Sequence, residues 1–123
     1  MARLRTALEL DALDRTDEAV AQLKAMAAER PNRAEALIEL GDILRAHKRF
    51  GEAATAYDGA IARTPDPQAA DWRIFYSRGV ALERSGQWPR AETDLKHALS
   101  LQPEQPLVRV RETLAGWSVG QHE

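Results

Sequence analysis

The feature that most limits the folds open to this chain is a threefold internal repeat. Pro31, Pro65 and Pro103 each close a segment in which residues of similar size recur at fixed distances before the proline. Small residues recur 24 and 12 positions before each proline, and large ones recur 21 and 8 positions before it: Ala7, Gly41 and Gly79; Ala19, Ala53 and Ala91; Leu10, Leu44 and Leu82; Leu23, Tyr57 and Leu95. A period of this length is typical of stacked helical repeats.

The apolar residues of each segment fall at helical spacing, which predicts two amphipathic helices joined by a turn. The first helix of each segment is termed helix A and the second helix B. A small residue midway along helix A lets helix B pack at close range, and helix B presents an alanine on the facing side. Proline ends the segment because it cannot continue a helix. The pattern therefore predicts an all-α fold made of helical hairpins.

The residues at these positions resemble the tetratricopeptide repeat pattern, in the form found in bacterial multi-repeat proteins. The second segment carries eight matching residues: Leu37, Leu40, Gly41, Leu44, Ala53, Tyr57, Ala60 and Pro65. The third segment has Arg78 where leucine is usual, and it matches at Phe75, Gly79, Leu82, Ala91, Leu95, Ala98 and Pro103. The first segment is degenerate, with Arg3, Thr6 and Ala7 at the early positions and Met26 in place of alanine.

The resemblance implies an α-solenoid, in which three helix-turn-helix repeats and a C-terminal capping helix stack as a right-handed superhelix of seven helices. The repeats are expected at about residues 3–31, 32–65 and 67–103, and the capping helix at about 106–117. Together they are expected to form a single domain, residues 1–123.

Local residues predict where the helices of the first two repeats begin. Thr16 is expected to be the N-cap of a helix B that runs to about Glu29. Asn32 is expected to cap the next helix A, with Glu35 three residues later completing a capping box. Both expectations rest on side chains that accept hydrogen bonds from free backbone N–H groups at a helix start.

The third repeat is longer than the second. Pro31 and Pro65 are 34 residues apart, whereas Pro65 and Pro103 are 38 apart, and four residues correspond to about one helical turn. We therefore expect the third helix A to start early and to span residues 67–85, with Gly86 as its left-handed C-cap.

Beyond the last repeat the pattern is lost, but one apolar stripe remains. Leu107, Val110, Leu114 and Trp117 are spaced by 3, 4 and 3 residues and share one helical face. A solenoid needs a cover for its open apolar end, so we interpret this segment as the capping helix. The alternative is that the stripe mediates self-association or docks another molecule.

In the family, helices A line a concave surface that binds peptides, and the repeat register implies which side chains point there. They are Glu35, Ile38, Asp42, Arg45, Arg73, Tyr76, Val80 and Glu83. The set has an apolar centre and charged flanks, as expected of a groove for a peptide or a helix. The alternative is that these are ordinary solvated helix positions.

Some family members grip the carboxylate end of a chaperone tail with lysine and asparagine from successive helices A. The matching positions here carry Leu4 and Leu8, then Ile38 and Asp42. This clamp is therefore absent, and that class of partner is not expected.

Trp72 begins the third helix A, and Tyr76 follows one helical turn later. At that spacing the two rings can form an aromatic shelf for a ligand side chain. The alternative is that Trp72 covers the junction between the second and third repeats.

Composition and spacing argue against catalysis. The chain has no cysteine, which excludes disulfides, thiol catalysis and thiolate metal sites. His47, His97 and His122 show no metal-ligand spacing, so we expect no metal, and no motif predicts a cofactor. The net charge of −2 gives no electrostatic case for nucleic acid, and no apolar run predicts membrane insertion.

These observations predict a non-catalytic scaffold that binds a protein or peptide and exists as a monomer or weak homo-oligomer. Two alternatives stay open: a self-assembly module that acts through its terminal helices, and a helper domain of a larger enzyme or secretion assembly. No secretory signal is evident, which predicts a cytoplasmic location, or a periplasmic one if the chain is part of a longer protein.

Overall fold

The computed structural model describes residues 2–106, 109 and 111. Six complete α-helices and no strand occur in this part of the chain: α1 Ala2–Ala12, α2 Thr16–Glu29, α3 Glu35–Ala46, α4 Phe50–Ala62, α5 Trp72–Arg84 and α6 Trp88–Leu101. A short 3-10 turn, Ala69–Asp71, precedes α5. Pro106, Arg109 and Arg111 are helical and lie at the start of the predicted capping helix.

The helices form two compact units, Met1–Arg63 and Thr64–Glu123. In the first unit α1 packs on α2, α2 on α3, and α3 on α4. In the second unit α5 packs on α6, and the 3-10 turn contacts both helices. The predicted hairpins and the all-α fold are therefore confirmed, while a single domain and a right-handed superhelix concern the relation between the units and stay predictions.

The repeat positions form the core of each hairpin. The side chains eight residues before the prolines, Leu23, Tyr57 and Leu95, are all 0% exposed. Burying a side chain of this size stabilises the folded chain by about 2 kcal/mol. Close packing also explains the small residues, since a Cβ on Gly79 would lie 3.0 Å from the Leu95 side chain.

Neither of the two predicted N-caps is observed. Thr16 is the first residue of α2, and its hydroxyl donates to Oδ1 of Asp11 at 2.9 Å instead of accepting from the helix backbone. Helix α3 begins at Glu35 after Ala34, so Asn32 lies in the preceding turn and the predicted capping box is wrong.

The loop between α2 and α3 is held in place by hydrogen bonds from Arg63, the residue that follows α4. Nη1 of Arg63 donates to the carbonyl oxygens of Ala27, Arg30 and Arg33 at 2.9, 3.3 and 3.0 Å. A cationic donor thus satisfies carbonyls that the end of α2 leaves without helical partners. The α2–α3 loop therefore takes its shape from a contact distant in sequence, which explains why local capping rules misplaced the start of α3.

The prediction that the third helix A spans residues 67–85 is also wrong, because α5 begins at Trp72. The backbone N–H of Gln68 donates to Oδ2 of Asp71 at 2.8 Å, and the Gln68 side-chain amide donates to the Asp66 carbonyl at 3.0 Å. Such local bonds between side chains and backbone compete with a regular helix. The four extra residues therefore lengthen the connection and form the 3-10 turn.

The connection between α5 and α6 follows the prediction. Gly86 has φ +83°, a left-handed conformation that glycine adopts without steric cost. Pro89 is the second residue of α6, where its missing N–H leaves no helical hydrogen bond unmade. In the part of the chain that the structure describes, no helix has the length and apolar character needed to cross a membrane.

Candidate functional site

Four of the predicted binding residues lie on α3 and are termed the α3 surface: Glu35, Ile38, Asp42 and Arg45. Glu35 is exposed, and the other three are half-buried. Their spacing of three and four residues puts them along one side of the helix. Nη2 of Arg45 lies 3.8 Å from Oδ1 of Asp42. The fold thus leaves Ile38 as a partly exposed apolar side chain with charged groups before and after it.

Tyr57 of α4 holds the charged end of the α3 surface in place. Its hydroxyl donates to Oδ1 of Asp42 at 2.5 Å and accepts from Nε of Arg45 at 3.3 Å. Burial and the Asp42 hydrogen bond raise the pKa of Tyr57, so the phenol stays protonated and remains a donor. The sequence identified Tyr57 only as a packing residue, because nothing local indicates where its hydroxyl reaches.

The α3 surface has a negative neighbour in Glu39. Burial, together with the nearby charge of Asp42, raises the pKa of the Glu39 carboxyl. Along this part of α3, the three acidic side chains Glu35, Glu39 and Asp42 outnumber the single cation, Arg45. A ligand with basic groups would complement this charge.

The other four predicted residues lie on α5 and are termed the α5 surface: Arg73, Tyr76, Val80 and Glu83. Arg73 is exposed, and the other three are half-buried. Oε1 of Glu83 accepts a hydrogen bond from Nη1 of Arg111 at 2.7 Å. The Glu83 side chain is only 13% exposed, and its Oε2 has no hydrogen-bond partner among residues 2–106, 109 and 111. Glu83 is thus paired with Arg111, whose guanidinium also interacts with the Tyr76 side chain, and the ring of Tyr76 and the side chain of Val80 form the apolar part of the α5 surface.

The two aromatic rings at the start of α5 do meet. The ring centroids of Trp72 and Tyr76 are 5.8 Å apart in a T-shaped arrangement, and the Arg73 guanidinium lies 5.7 Å from the centre of the Trp72 ring. This geometry is typical of favourable aromatic and cation–π contacts. An aromatic shelf for a ligand stays a prediction.

An ion pair inside the α5–α6 hairpin was missed by the sequence analysis. Nε and Nη2 of Arg78 donate to the two carboxylate oxygens of Asp94, both at 2.7 Å, and Asp94 is only 4% exposed. The equivalent positions of the second repeat are Leu40 and Ala56, which are both buried. The available signal was a cation and an anion at two facing repeat positions. This pair joins the helices and is not accessible to a ligand.

The histidines that the structure describes make contacts that tie helices together. Nε2 of His47 lies 2.8 Å from Oδ1 of Asp11 and 3.3 Å from Oγ1 of Thr16. The ring of His97 lies 4.0 Å from that of Phe75, measured between centroids. Within residues 2–106, 109 and 111, no group of three or more histidine, aspartate or glutamate side chains is arranged to hold a metal ion.

The predicted self-association stripe, Leu107, Val110, Leu114 and Trp117, lies outside the described residues, as does His122. Its role as a capping or docking element therefore stays a prediction.

Several solved structures share this fold. A MamA chain from Desulfovibrio magneticus RS-1 is 22% identical with a TM-score of 0.80, covering 98% of this chain and 66% of the MamA chain. The first tetratricopeptide repeat domain of Spaghetti (RPAP3), bound to an HSP90 peptide, is 14% identical with a TM-score of 0.83 and coverages of 97% and 91%. The Yersinia enterocolitica secretion chaperone SycD, in complex with a YopD peptide, is 14% identical with a TM-score of 0.80 and coverages of 95% and 92%.

This chain spans less than two thirds of the length of the MamA chain. Comparison with curated protein sequences finds no significant match. The family model described as tetratricopeptide repeat matches residues 4–70, which is more than half of the chain. With helical hairpins built on the same small, large and proline positions, the chain belongs to the tetratricopeptide repeat family.

Proposed function

We propose that this chain is a non-catalytic module that binds a peptide or a helical segment of a partner protein on its helices A. The α3 surface in the first unit and the α5 surface in the second are the proposed contact regions. The observation that carries the proposal is the pairing of partly exposed apolar side chains, Ile38, Tyr76 and Val80, with nearby charged groups. Such a combination supplies both apolar contact area and orientation to a bound peptide.

The α3 surface has the rigidity that a binding surface needs. Asp42 and Arg45 both bond to the hydroxyl of Tyr57, whose side chain is fully buried. Because these charged groups are already held in position, little side-chain entropy is lost when a ligand binds to them. Ile38 lies one turn before Asp42 and would contact an apolar side chain of the ligand.

The neighbouring structures support this proposal without identifying the ligand. Spaghetti is bound to an HSP90 peptide and SycD to a YopD peptide, and both have the fold of this chain. The positions of the lysine and asparagine clamp carry Leu4, Leu8, Ile38 and Asp42 here. The proposed ligand is therefore a peptide with apolar and basic groups, and not a tail held by its carboxylate end.

The proposal includes no reaction. Asp11 pairs with His47 and Arg78 pairs with Asp94, so these polar groups hold helices together. A cytoplasmic location and a monomeric or weakly self-associating state are parts of the same proposal.

The test is affinity capture from an extract of the native host, comparing the wild-type chain with Ile38→Asp and with Tyr76→Ala. Thr55→Asp is the matched control, because it adds the same carboxylate at an exposed position of α4. We expect the wild type and Thr55→Asp to retain a partner that Ile38→Asp loses, with unchanged helical circular dichroism. Retention of the same partners by all four proteins would refute the proposal, and separate effects of the two variants would show which unit binds.

Self-assembly is a second candidate because α1 and the residues after it expose large apolar side chains. Leu8 is 42% exposed and Leu13 is 68% exposed. If these exposed side chains mediate oligomers, the mass in solution rises with protein concentration, and the double substitution Leu8→Asp and Leu13→Asp abolishes that rise. A mass that is independent of concentration would exclude this candidate.

A further inference from the structure

The first unit contains a cavity of about 170 Å³ where α1, the end of α2 and the start of α3 meet. Its apolar lining is formed by Leu4, Met26, Ala27 and Ala36. Five charged side chains line it as well: Arg3, Glu29, Arg30, Arg33 and Glu35. Only Glu35 belongs to the α3 surface, so this site is otherwise distinct from the one proposed above.

The cavity coincides with two departures from the repeat pattern. Arg3 stands where the other repeats have Leu37 and Phe75, 28 residues before the proline. Leu37 reaches over Gly59, with its Cδ1 2.9 Å from where a Cβ on that glycine would lie. Phe75 is 3% exposed, whereas the Arg3 side chain is 56% exposed. The first hairpin therefore lacks the apolar side chain that this position provides in the other two.

The second departure is Met26, which stands where the other repeats have Ala60 and Ala98. Both alanines are 0% exposed, whereas Met26 is half-buried and lines the cavity. An unbranched thioether side chain adapts its shape to different apolar groups. The cavity wall is therefore deformable where a ligand would contact it.

The charges around the cavity favour an anion. Three arginines and two glutamates give this region a formal charge of +1, in a chain whose net charge is −2. Arg3 pairs with Glu29, and Nη1 of Arg33 lies 3.7 Å from Oε1 of Glu35. Among residues 2–106, 109 and 111, the Arg30 guanidinium forms no hydrogen bond and no ion pair within 4.0 Å, although its charge, together with the hydrogen bond from Arg3, lowers the pKa of the nearby Glu29 carboxyl. Of the three arginines, Arg30 is therefore the one whose guanidinium can pair directly with a ligand carboxylate without breaking an existing ion pair.

The α2–α3 loop that carries Arg30 and Arg33 is held in place by the bonds from Arg63 to both of their carbonyl oxygens, at 3.3 and 3.0 Å. A cavity of about 150 Å³ holds a benzene-sized group, so the space suits a leucine side chain. We propose that this cavity binds a partner polypeptide through one apolar side chain of leucine size that has carboxylates beside it. The apolar side chain enters between Leu4 and Met26, and a carboxylate pairs with Arg30.

The test uses the full chain with 13C-labelled methionine methyl groups. The chain has two methionines, so the Met26 signal is assigned by its loss in Met26→Leu. The probe is the blocked tripeptide acetyl-Glu-Leu-Glu-amide, and two further peptides replace both glutamates by glutamine or the leucine by alanine. We expect a saturable Met26 shift, about fivefold weaker binding without the carboxylates, and about tenfold weaker binding without the leucine side chain.

Three variants test the assignment of the site. Arg30→Glu should weaken binding of the tripeptide about fivefold, whereas Arg5→Glu, the same charge change at an exposed residue outside the cavity, should leave binding unchanged. Arg3→Leu restores the apolar residue of the other repeats, so it should fill the cavity and abolish the Met26 shift without lowering the melting temperature. Ile38→Asp should leave the shift intact, which separates this site from the α3 surface.

The proposal is overturned if no saturable Met26 shift occurs with the tripeptide, or if the glutamine peptide binds as tightly. Equal effects of Arg30→Glu and Arg5→Glu would also overturn it. A Met26 shift that appears on protein dilution alone would assign the cavity to a second copy of this chain and not to a partner.

Discussion

Replacing Gly41 by alanine should destabilise the first unit, although alanine is the better helix former. A Cβ at position 41 would lie 2.5, 2.7 and 2.8 Å from Cε1, Cζ and Cδ1 of Tyr57. Carbon atoms in normal contact are about 3.5 Å or more apart, so the ring would have to move by about 1 Å. The ring is fully buried, and its hydroxyl is bonded to Asp42 and Arg45, so movement also weakens those bonds.

The magnitude follows from two opposing terms. Overpacking a well-filled core costs up to about 3 kcal/mol, and alanine gains about 1 kcal/mol over glycine within a helix. We therefore expect Gly41→Ala to lower the free energy of unfolding by about 2 kcal/mol and the melting temperature by about 8 °C. Gly51→Ala is the matched control, because no atom lies within 4 Å of its Cβ position, and it should raise stability by about 0.5 kcal/mol.

Urea unfolding followed by circular dichroism measures both variants. In a Tyr57→Leu background the clash is removed and only the helix gain remains, so the effect of Gly41→Ala on the free energy of unfolding should be more favourable there by about 3 kcal/mol. The reasoning fails if Gly41→Ala is as stable as the wild type, or if its cost is the same in both backgrounds.

Three further predictions concern other contacts. Asp94→Ala breaks a buried ion pair, so it should lower the free energy of unfolding measured in urea by about 3 kcal/mol. Adding Arg78→Leu gives the leucine and alanine found at these positions of the second repeat, and it should recover most of that loss. The pKa of Tyr57 is raised, first by burial and then by Asp42, so its contribution to stability is present below about pH 10 and is lost as the pH rises above it. Urea midpoints at about pH 8 and about pH 11 should therefore differ less for Tyr57→Phe than for the wild type. Arg63→Ala should lower the free energy of unfolding by about 2 kcal/mol and speed the hydrogen exchange of backbone amides in the α2–α3 loop. Unchanged exchange rates in that loop would contradict the role assigned to Arg63.

Most of the fold was predictable from the sequence because the same pattern of small, large and proline positions occurs three times and fixes which residues of each helix face the core. The positions of Leu23, Tyr57 and Leu95 were identified as core, and all three are fully buried. The starts of α3 and α5 were not predicted, since each depends on side chains that bond to the backbone outside the helix pattern. Arg63 holds the loop before α3, and Asp71 accepts from the N–H of Gln68 before α5.

The candidate surfaces were predictable only as positions. Spacing along α3 and α5 puts the chosen residues on one side of each helix, and their partial exposure agrees with that placement. The hydrogen bonds that these side chains form were not predictable. Glu83 accepts a hydrogen bond from Arg111, 28 positions later, and Asp42 accepts one from Tyr57, 15 positions later. Such pairs depend on side-chain reach across a helix interface, which a one-dimensional pattern does not contain.

The sequence by itself determined the family, the hairpins and the residues of the core, because helix periodicity and the alternation of small and large residues are local properties of the chain. Only the tertiary structure decided where charged groups pair inside the α5–α6 hairpin, how Arg63 holds the α2–α3 loop, and that a cavity lined by Arg3 and Met26 remains in the first unit. The physical reason is that hydrogen bonds and close packing act over about 3 to 4 Å, and helix packing alone brings those atoms within that distance.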